Sequence, residues 1–417
     1  MSFDGDDHPA LSLEGARRAI DAAIEPIVAT ERVALKDGLA RILAADLVAG
    51  VAVPAHDNAA MDGYAIRADV DAASPRTLHV VGKARAGVPY DGTVAADQCV
   101  RIFTGAVMPD DCDAVVPQEV VVADGDRISF DGLIRTGQNR RLAGEDLVVG
   151  SIVLAKGRRL SPSDLGLAAS IGEAFLTVFR RPRIAVFSTG DELRDLGQSL
   201  DVGSIRDSNR YTLIAMLSRL GAEVIDLGIV ADDPDTLEAT LLRTCGTAVA
   251  ADAIVTSGGV SAGGADYTRE VMHRLGGVSF WKLAVKPGRP MAFGRVTAEG
   301  RSALLFGLPG NPVAVMVVFY ALVRDALLKL MGARVDPMLS ITALCDVPIA
   351  KLPGRTEFVR GVAVRGDGVW TVRPTAAQGS GILRSMSEAN CLIVLGHERG
   401  AVVAGEQVEA WPFQGLV

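Results

Sequence analysis

Cysteine is scarce in these 417 residues, and what there is lies scattered: Cys99, Cys112, Cys245, Cys345 and Cys391 are odd in number and include no C-x-x-C spacing. A disulfide framework and a structural zinc site are therefore excluded as readings. An excess of basic charge is also missing. The formal net charge is -8, which argues against a broad nucleic-acid footprint while leaving room for a small anion held by locally gathered cations. No hydrophobic run is long enough to span a bilayer, since the most apolar helical stretch, Val313 to Val323, meets Arg324 and Asp325. Near the start, Asp4, Asp6 and Asp7 stand where a signal peptide would carry basic residues before an apolar core, so the expected location is cytoplasmic. There is no G-x-x-x-x-G-K-[ST], hence no P-loop, and no repeat or low-complexity segment. What remains, 49% hydrophobic against 22% charged residues, is a folded chain long enough for two to four domains.

Taken in order, Leu13 to Ile27 has the apolar spacing of a helix and Leu39 to Leu43 reads as a second. Residues 49–149 change to short apolar runs between Gly- and Asp-rich turns (Thr77 to Val81, Gln98 to Phe103, Ala114 to Val116, Arg127 to Phe130), the pattern of an inserted β domain. Ser161 to Asp164 then caps a helix from Leu165 to Ile171, expected to pack on the N-terminal helices and make a discontinuous first domain of 1–48 plus 150–180. From 181 to 333 strands and helices alternate, which predicts an α/β sheet covered on both faces. Residues 334–417 return to short strands, a small terminal β domain.

The ligand crevice of an open α/β sheet lies beyond the carboxyl ends of its strands. Four runs here end in polar turns: Ser188 to Glu192, Ala231 to Pro234, Thr256 to Ser261 and Gly307 to Pro312. Among them Gly258-Gly259, and Gly263-Gly264 before Asp266, form a glycine-rich strand-to-helix turn that points backbone N–H groups and hydroxyls at one spot, where an anion can sit. A carboxylate beside an anion is a conflict that a divalent cation resolves; the ordinary alternative makes Asp266 a first-turn acid favoured by the helix dipole. Turn chemistry alone accounts for Asp232-Asp233. Lys282, Lys286 and Arg289 flank turn residues in an otherwise acidic chain, either as a solvated basic loop or as phosphate ligands. Cradle, acids and lysines together suggest a magnesium–pyrophosphate site.

These segments, with Pro54 to Tyr64, Arg101 to Gly105, Gly144 to Asp146, Ala265 to Tyr267, Lys286 to Gly288, Leu308 to Pro312 and Gln378 to Ser380, resemble the MoeA family of molybdopterin molybdenumtransferases, which includes the E domain of gephyrin. The resemblance covers nearly the whole chain. It implies four domains, a small β-barrel at the C-terminus and an elongated homodimer, in which the partner subunit's inserted β domain completes the site of the α/β domain. The implied reaction joins adenylylated molybdopterin and molybdate: the pyrophosphate linkage is hydrolysed, AMP leaves and molybdenum stays on the dithiolene. It implies Mg2+ as cofactor, with Glu192 and Asp266 as metal- or pyrophosphate-side carboxylates and Lys282 and Lys286 neutralising the phosphates. Thr189, Ser257, Gly258 and Gly259 would supply donors, and Asp232 and Pro309 belong to the substrate-binding edge. Asp62, Thr104, Arg141 and Asp146 would reach in from the β domain, while Arg360 and Ser380 would handle molybdate. The resemblance further implies contact with molybdopterin adenylyltransferase and molybdoenzyme-maturation proteins, and neither nucleic acid nor membrane as a partner. Ala55, His56 and Ala59 depart from the usual first β-domain motif, and Gly264 replaces a residue that is often acidic. Two rival readings are a molybdopterin adenylyltransferase, whose small relatives lack the two β domains, and a non-catalytic gephyrin-like scaffold, which the single α/β module and intact acids and lysines do not support.

Overall fold

The computed structural model describes residues 10–69, 75–260, 271–272 and 274–416. By contact these fall into two units, one drawn from Met1–Glu31, Ala40–Ile42 and Val178–Val417, the other from Arg32–Leu39 and Leu43–Thr177.

The second unit is built on a six-stranded sheet, in the order Ala114–Pro117, Gly63–Ile66, Gln98–Ile102, Arg76–Ala84, Arg127–Phe130, Val121–Asp124. Side chains alternate along a strand, and here both faces are covered. Ala65, Val100 and Val115 enter one apolar cluster, while their chain neighbours Ile66, Cys99 and Val116 enter another on the opposite face. That is why these strands read as unbroken apolar runs. Burial pushes the thiols of Cys99 and Cys112 up to about 12, and all five cysteines are free and buried. The Pro162–Ser170 helix starts at a reciprocal cap: Asp164 N–H donates to Ser161 Oγ at 3.4 Å and Ser161 N–H to Asp164 Oδ2 at 2.8 Å.

In the first unit the Leu13–Ala23 helix is capped by Ser12 and buries Leu13, Ala16 and Ile20. It stops short of the predicted Ile27 because Pro26 disfavours helical geometry in the residue before it, and Ile27 N–H donates instead to the Leu330 carbonyl at 2.8 Å. The helix predicted over Leu39 to Leu43 does not form. Ala40 lies at φ 60°, a left-handed position that breaks a helix, and Arg41 is drawn inward to donate to the Phe179 carbonyl at 2.9 Å.

The α/β sheet has the order Glu223–Val230, Arg183–Thr189, Ala253–Ser257, Arg301–Leu308, Pro290–Ala298, Ser279–Lys282. The first four strands run parallel; Pro290–Ala298 pairs antiparallel with the fourth, and Ser279–Lys282 pairs antiparallel with Pro290–Ala298. Ile184 to Phe187 are wholly buried, as expected of a central parallel strand covered by helices on both faces. Those helices include Asn209–Leu220, Pro234–Cys245 and a long one of three stretches, Pro312–Val318, the π-type Phe319–Val323 and Arg324–Leu330. No described helix is long and apolar enough to cross a membrane.

The C-terminal strands close on themselves. Thr356–Gly366 is long enough to pair with both Val369–Pro374 and Cys391–Leu395, and Ile341–Cys345 and Gln407–Pro412 complete the ring. Closure removes the exposed edges of a small sheet around an interior of Val359, Ala363, Val372, Ile393 and Val408. One short strand from the α/β stretch, Val285–Lys286, pairs in parallel with the start of Thr356–Gly366.

Candidate functional site

The carboxyl ends of the four parallel strands meet at one cavity of about 940 Å³. Thr189, Gly190 and Glu192 follow the first, Asp232 the second, Gly258 and Gly259 the third, and Pro309 to Asn311 the fourth. Gly258 is required where it stands. Its φ is +93°, and a Cβ there would lie 2.2 Å from the Thr189 carbonyl oxygen, so the two strand ends approach more closely than any side chain allows. Thr189 Oγ1 donates to Asp232 Oδ1 at 3.2 Å, joining two of the ends. Glu192 is exposed at the cavity rim.

The opposite wall comes from Lys286 to Pro290 and from the barrel: Arg355, Glu357, Arg360, Gln378 and Ser380. Arg360 is 2% exposed. Its guanidinium donates to Ser385 Oγ at 3.2 Å and to the carbonyls of Gly379 at 3.1 Å and Ala377 at 3.4 Å, all neutral acceptors. Burial holds its pKa below the usual arginine value, and no carboxylate among the described residues offsets that. A buried cation without a counter-ion is costly, and one lining a cavity is placed for an incoming anion.

Beneath the strand ends lies a polar network. Asp207, 2% exposed, accepts from Ser188 Oγ at 3.0 Å and from Arg210 Nε at 3.0 Å. Arg210 also donates to Asp195 at 2.7 Å and Asp226 at 2.5 Å. Burial alone would lower its pKa, but the hydrogen bonds to Asp226 and Asp207 outweigh it and the value is raised. Asn209 is buried beside this network; its Nδ2 donates to Ser257 Oγ at 2.8 Å and to the Gly310 carbonyl at 2.7 Å, tying the third strand end to the fourth. A second cavity of about 320 Å³, reached past Thr189, Glu192 and Gly258, is lined by Asp207, Asn209 and Ser257.

Of the residues singled out from sequence, Thr189, Glu192, Asp232, Gly258, Gly259, Lys286, Pro309, Arg360 and Ser380 line the larger cavity, and Ser257 lines the smaller. Lys282 lines neither. It ends the Ser279–Lys282 strand opposite Pro290, and its carbonyl accepts from Leu11 N–H at 2.8 Å. Asp266 lies outside the described residues. Among the described residues no group of three or more His, Cys, Asp or Glu is gathered as a metal cage.

Asp62, Thr104, Arg141 and Asp146 belong to the other unit. There Asp62 Oδ1 accepts from Thr104 N–H at 2.8 Å and from its hydroxyl at 2.7 Å, which holds the carboxyl below its ordinary pKa. Arg141 is exposed opposite Asn58, and Asp146 N–H donates to the Val53 carbonyl at 3.0 Å. The neighbouring Asp57, which accepts from Ala143 N–H at 2.6 Å and from Arg140 Nε at 2.9 Å, is held low by those two contacts.

Sequence reasoning missed Asn209, Arg355 and Glu357. A polar residue opening a helix after Asp207-Ser208 was a usable signal for the first. Glu357 sits on a barrel strand and Arg355 just before it, with no local pattern to mark them.

Three family models match in series: the MoeA N-terminal region (domain I and II) over residues 11–172, a probable molybdopterin binding domain over 185–329, and the MoeA C-terminal region (domain IV) over 342–413. The chain is 40% identical over 412 residues to a molybdopterin molybdenumtransferase of Haemophilus influenzae, covering 98% of this chain and 100% of that protein. It is 32% identical over 406 residues to one of Bacillus subtilis, covering 93% of each. The crystal structure of a molybdopterin biosynthesis moeA protein from Pyrococcus horikoshii superposes with a TM-score of 0.85 at 27% identity, over 97% of this chain and 100% of that one.

Proposed function

Since the chain belongs to the MoeA family of molybdopterin molybdenumtransferases, enzymes of molybdenum cofactor biosynthesis, we propose that its substrates are adenylylated molybdopterin and molybdate. In this reading it hydrolyses the pyrophosphate linkage, releases AMP and leaves molybdenum on the dithiolene. The observation that carries the reading is the larger cavity, in which strand-end donors face the buried Arg360, whose acceptors among the described residues are all neutral. A nucleotide-bearing pyrophosphate suits the side with Thr189, Gly258 and Gly259, and a tetrahedral oxyanion suits the barrel side with Arg360 and Ser380.

Glu192 and Asp232 line the cavity as hard oxygen donors, the kind Mg2+ takes alongside substrate phosphates. They fit a site that one or two protein carboxylates and the substrate would fill together, with Asp266 as a further candidate. Bound there, Mg2+ would supply charge neutralisation. The protein's own part is positional: Asn209 fixes the strand ends, Lys286 offers a cation to the phosphates, and the cavity walls hold the two substrates against each other. Lys282 stands in the same proposal as a second cation that neutralises the phosphates. The four-domain division, homodimer assembly with Asp62, Thr104, Arg141 and Asp146 completing the partner's site, the cytoplasmic location and docking with molybdopterin adenylyltransferase and maturation proteins belong to the same proposal.

The test is to mix the purified protein with adenylylated molybdopterin and magnesium. AMP that appears only after molybdate is added supports metal insertion; AMP released equally without molybdate refutes it. Asp266→Asn should stop turnover with the fold intact, and AMP release at the wild-type rate would remove that residue from the proposal.

A further inference from the structure

The wall of the cavity formed by Lys286 to Pro290 and the barrel carries four cations, Lys286, Arg289, Arg355 and Arg360, and one buried carboxylate, Glu357. Lys286 and Glu357 are register partners in the parallel pairing of Val285–Lys286 with Thr356–Gly366, so backbone geometry brings them together. The Glu357 side chain is 5% exposed, and both its oxygens are engaged: Oε2 lies 3.2 Å from Lys286 Nζ, and Oε1 accepts from Arg355 Nε at 2.8 Å. Arg360, on the same strand, bonds only neutral groups among the described residues. All four side chains line the cavity. Within these four side chains three formal positive charges stand against one negative, a net +2, and Arg289 on the same wall adds a further positive charge.

We infer that Glu357 is a specificity-determining residue: by taking one unit from the positive charge of this wall, it limits how tightly a tetrahedral dianion is held and how far the site prefers a dianion to a monoanion of the same shape and size. The inference rests on the proposed reaction, in which the dianion is molybdate. A carboxylate on the wall of an anion site opposes binding, so its presence needs a reason. Limiting ground-state affinity supplies one. Without Glu357 two neighbouring cations would be uncompensated, and the oxyanion would be held more tightly in its ground state, which does nothing to speed its transfer. Coulomb energy scales with the ligand's charge. Each unit of protein charge gained or lost therefore changes dianion binding more than monoanion binding.

The experiment measures molybdate and perrhenate binding, two tetrahedral oxyanions of similar size and different charge, by isothermal titration on four full-length proteins. The formal charge summed over Lys286, Arg355, Glu357 and Arg360 is +1 in Arg355→Gln, +2 in the wild type and in the Arg355→Gln/Glu357→Gln double variant, and +3 in Glu357→Gln, with Arg289 constant throughout. The molybdate-over-perrhenate affinity ratio should fall about tenfold in Arg355→Gln and rise about tenfold in Glu357→Gln. In the double variant it should return to within about threefold of wild type. Recovery in a doubly altered protein is not what a merely structural salt bridge would show. Should Glu357→Gln fail to fold by circular dichroism, the step from Arg355→Gln to the double variant carries the same decision. A ratio that stays at the Arg355→Gln value in the double variant, or does not rise in a folded Glu357→Gln, overturns the inference while wild-type molybdate binding leaves the proposed reaction standing. A wild type that binds no molybdate overturns both.

Discussion

Asn209→Ala should separate turnover from stability by an amount the contacts set. The side chain is 9% exposed and makes two donations, at 2.8 Å to Ser257 Oγ and 2.7 Å to the Gly310 carbonyl. Losing both costs about 2 kcal/mol at roughly 1 kcal/mol net per hydrogen bond. Ser257 Oγ keeps a long contact to the Pro309 carbonyl at 3.4 Å, and Gly310 is exposed enough for water to take over, so the loss should not go far beyond that. Turnover should suffer more. Ser257 and Gly310 belong to two strand-end loops that line the site, and a shift of about 1 Å in reacting geometry can cost on the order of 100-fold. Urea denaturation reads the first quantity and molybdate-dependent AMP release the second. Asn209→Asp, nearly isosteric, should be at least as damaging, because a carboxylate would face the Gly310 carbonyl where an amide donated to it. Wild-type kcat and KM in Asn209→Ala, with the expected loss of stability, would show that the clamp holds the fold but not the site, and the positional argument would fail.

Gly258→Ala should destabilise the α/β domain by about 2–4 kcal/mol in urea denaturation, since its Cβ would sit 2.2 Å from the Thr189 carbonyl at φ +93°. Asp164 gives a pH signature. Burial alone would raise its pKa, but hydrogen bonds from Arg158 and from the Ser161 backbone and hydroxyl lower it. Its stabilisation is therefore present above its unfolded pKa of about 3.9 and lost as pH falls through the lower folded value. The stability gap between wild type and Asp164→Asn should be flat above about pH 5 and close in more acid solution; a gap that instead narrows toward neutral pH would contradict the assignment. Chelation of divalent cations with EDTA should abolish molybdate-dependent AMP release, and re-addition of Mg2+ should restore it. Glu192→Gln should raise the Mg2+ concentration needed for half-maximal release by about tenfold or more, and an unchanged requirement would remove Glu192 as a ligand.

What was readable in the chain alone is local. Apolar runs ending in Ser188 to Glu192, Ala231 to Pro234, Thr256 to Ser261 and Gly307 to Pro312 mark strands with polar carboxyl ends, and parallel pairing puts those ends on one edge. The glycine pair is equally local, because positive φ and close approach demand it. The Leu39 to Leu43 stretch misled, since buried Ile42 and Leu43 imitate a short helix while Ala40 turns left-handed and Arg41 is pulled toward Phe179. Lys282 and Lys286 look like a pair in sequence. Tertiary structure separates them: the first ends an antiparallel strand of the α/β sheet, the second leaves that sheet to pair with the barrel. Arg355 and Glu357 lie about seventy residues beyond Lys286, and no periodicity announces a pairing made across that distance. The chain's short-range chemistry determined which segments could cradle an anion; the parallel register of Lys286 with Glu357 decided which cation is balanced by a carboxylate, because charge balance depends on distance in space and not along the chain.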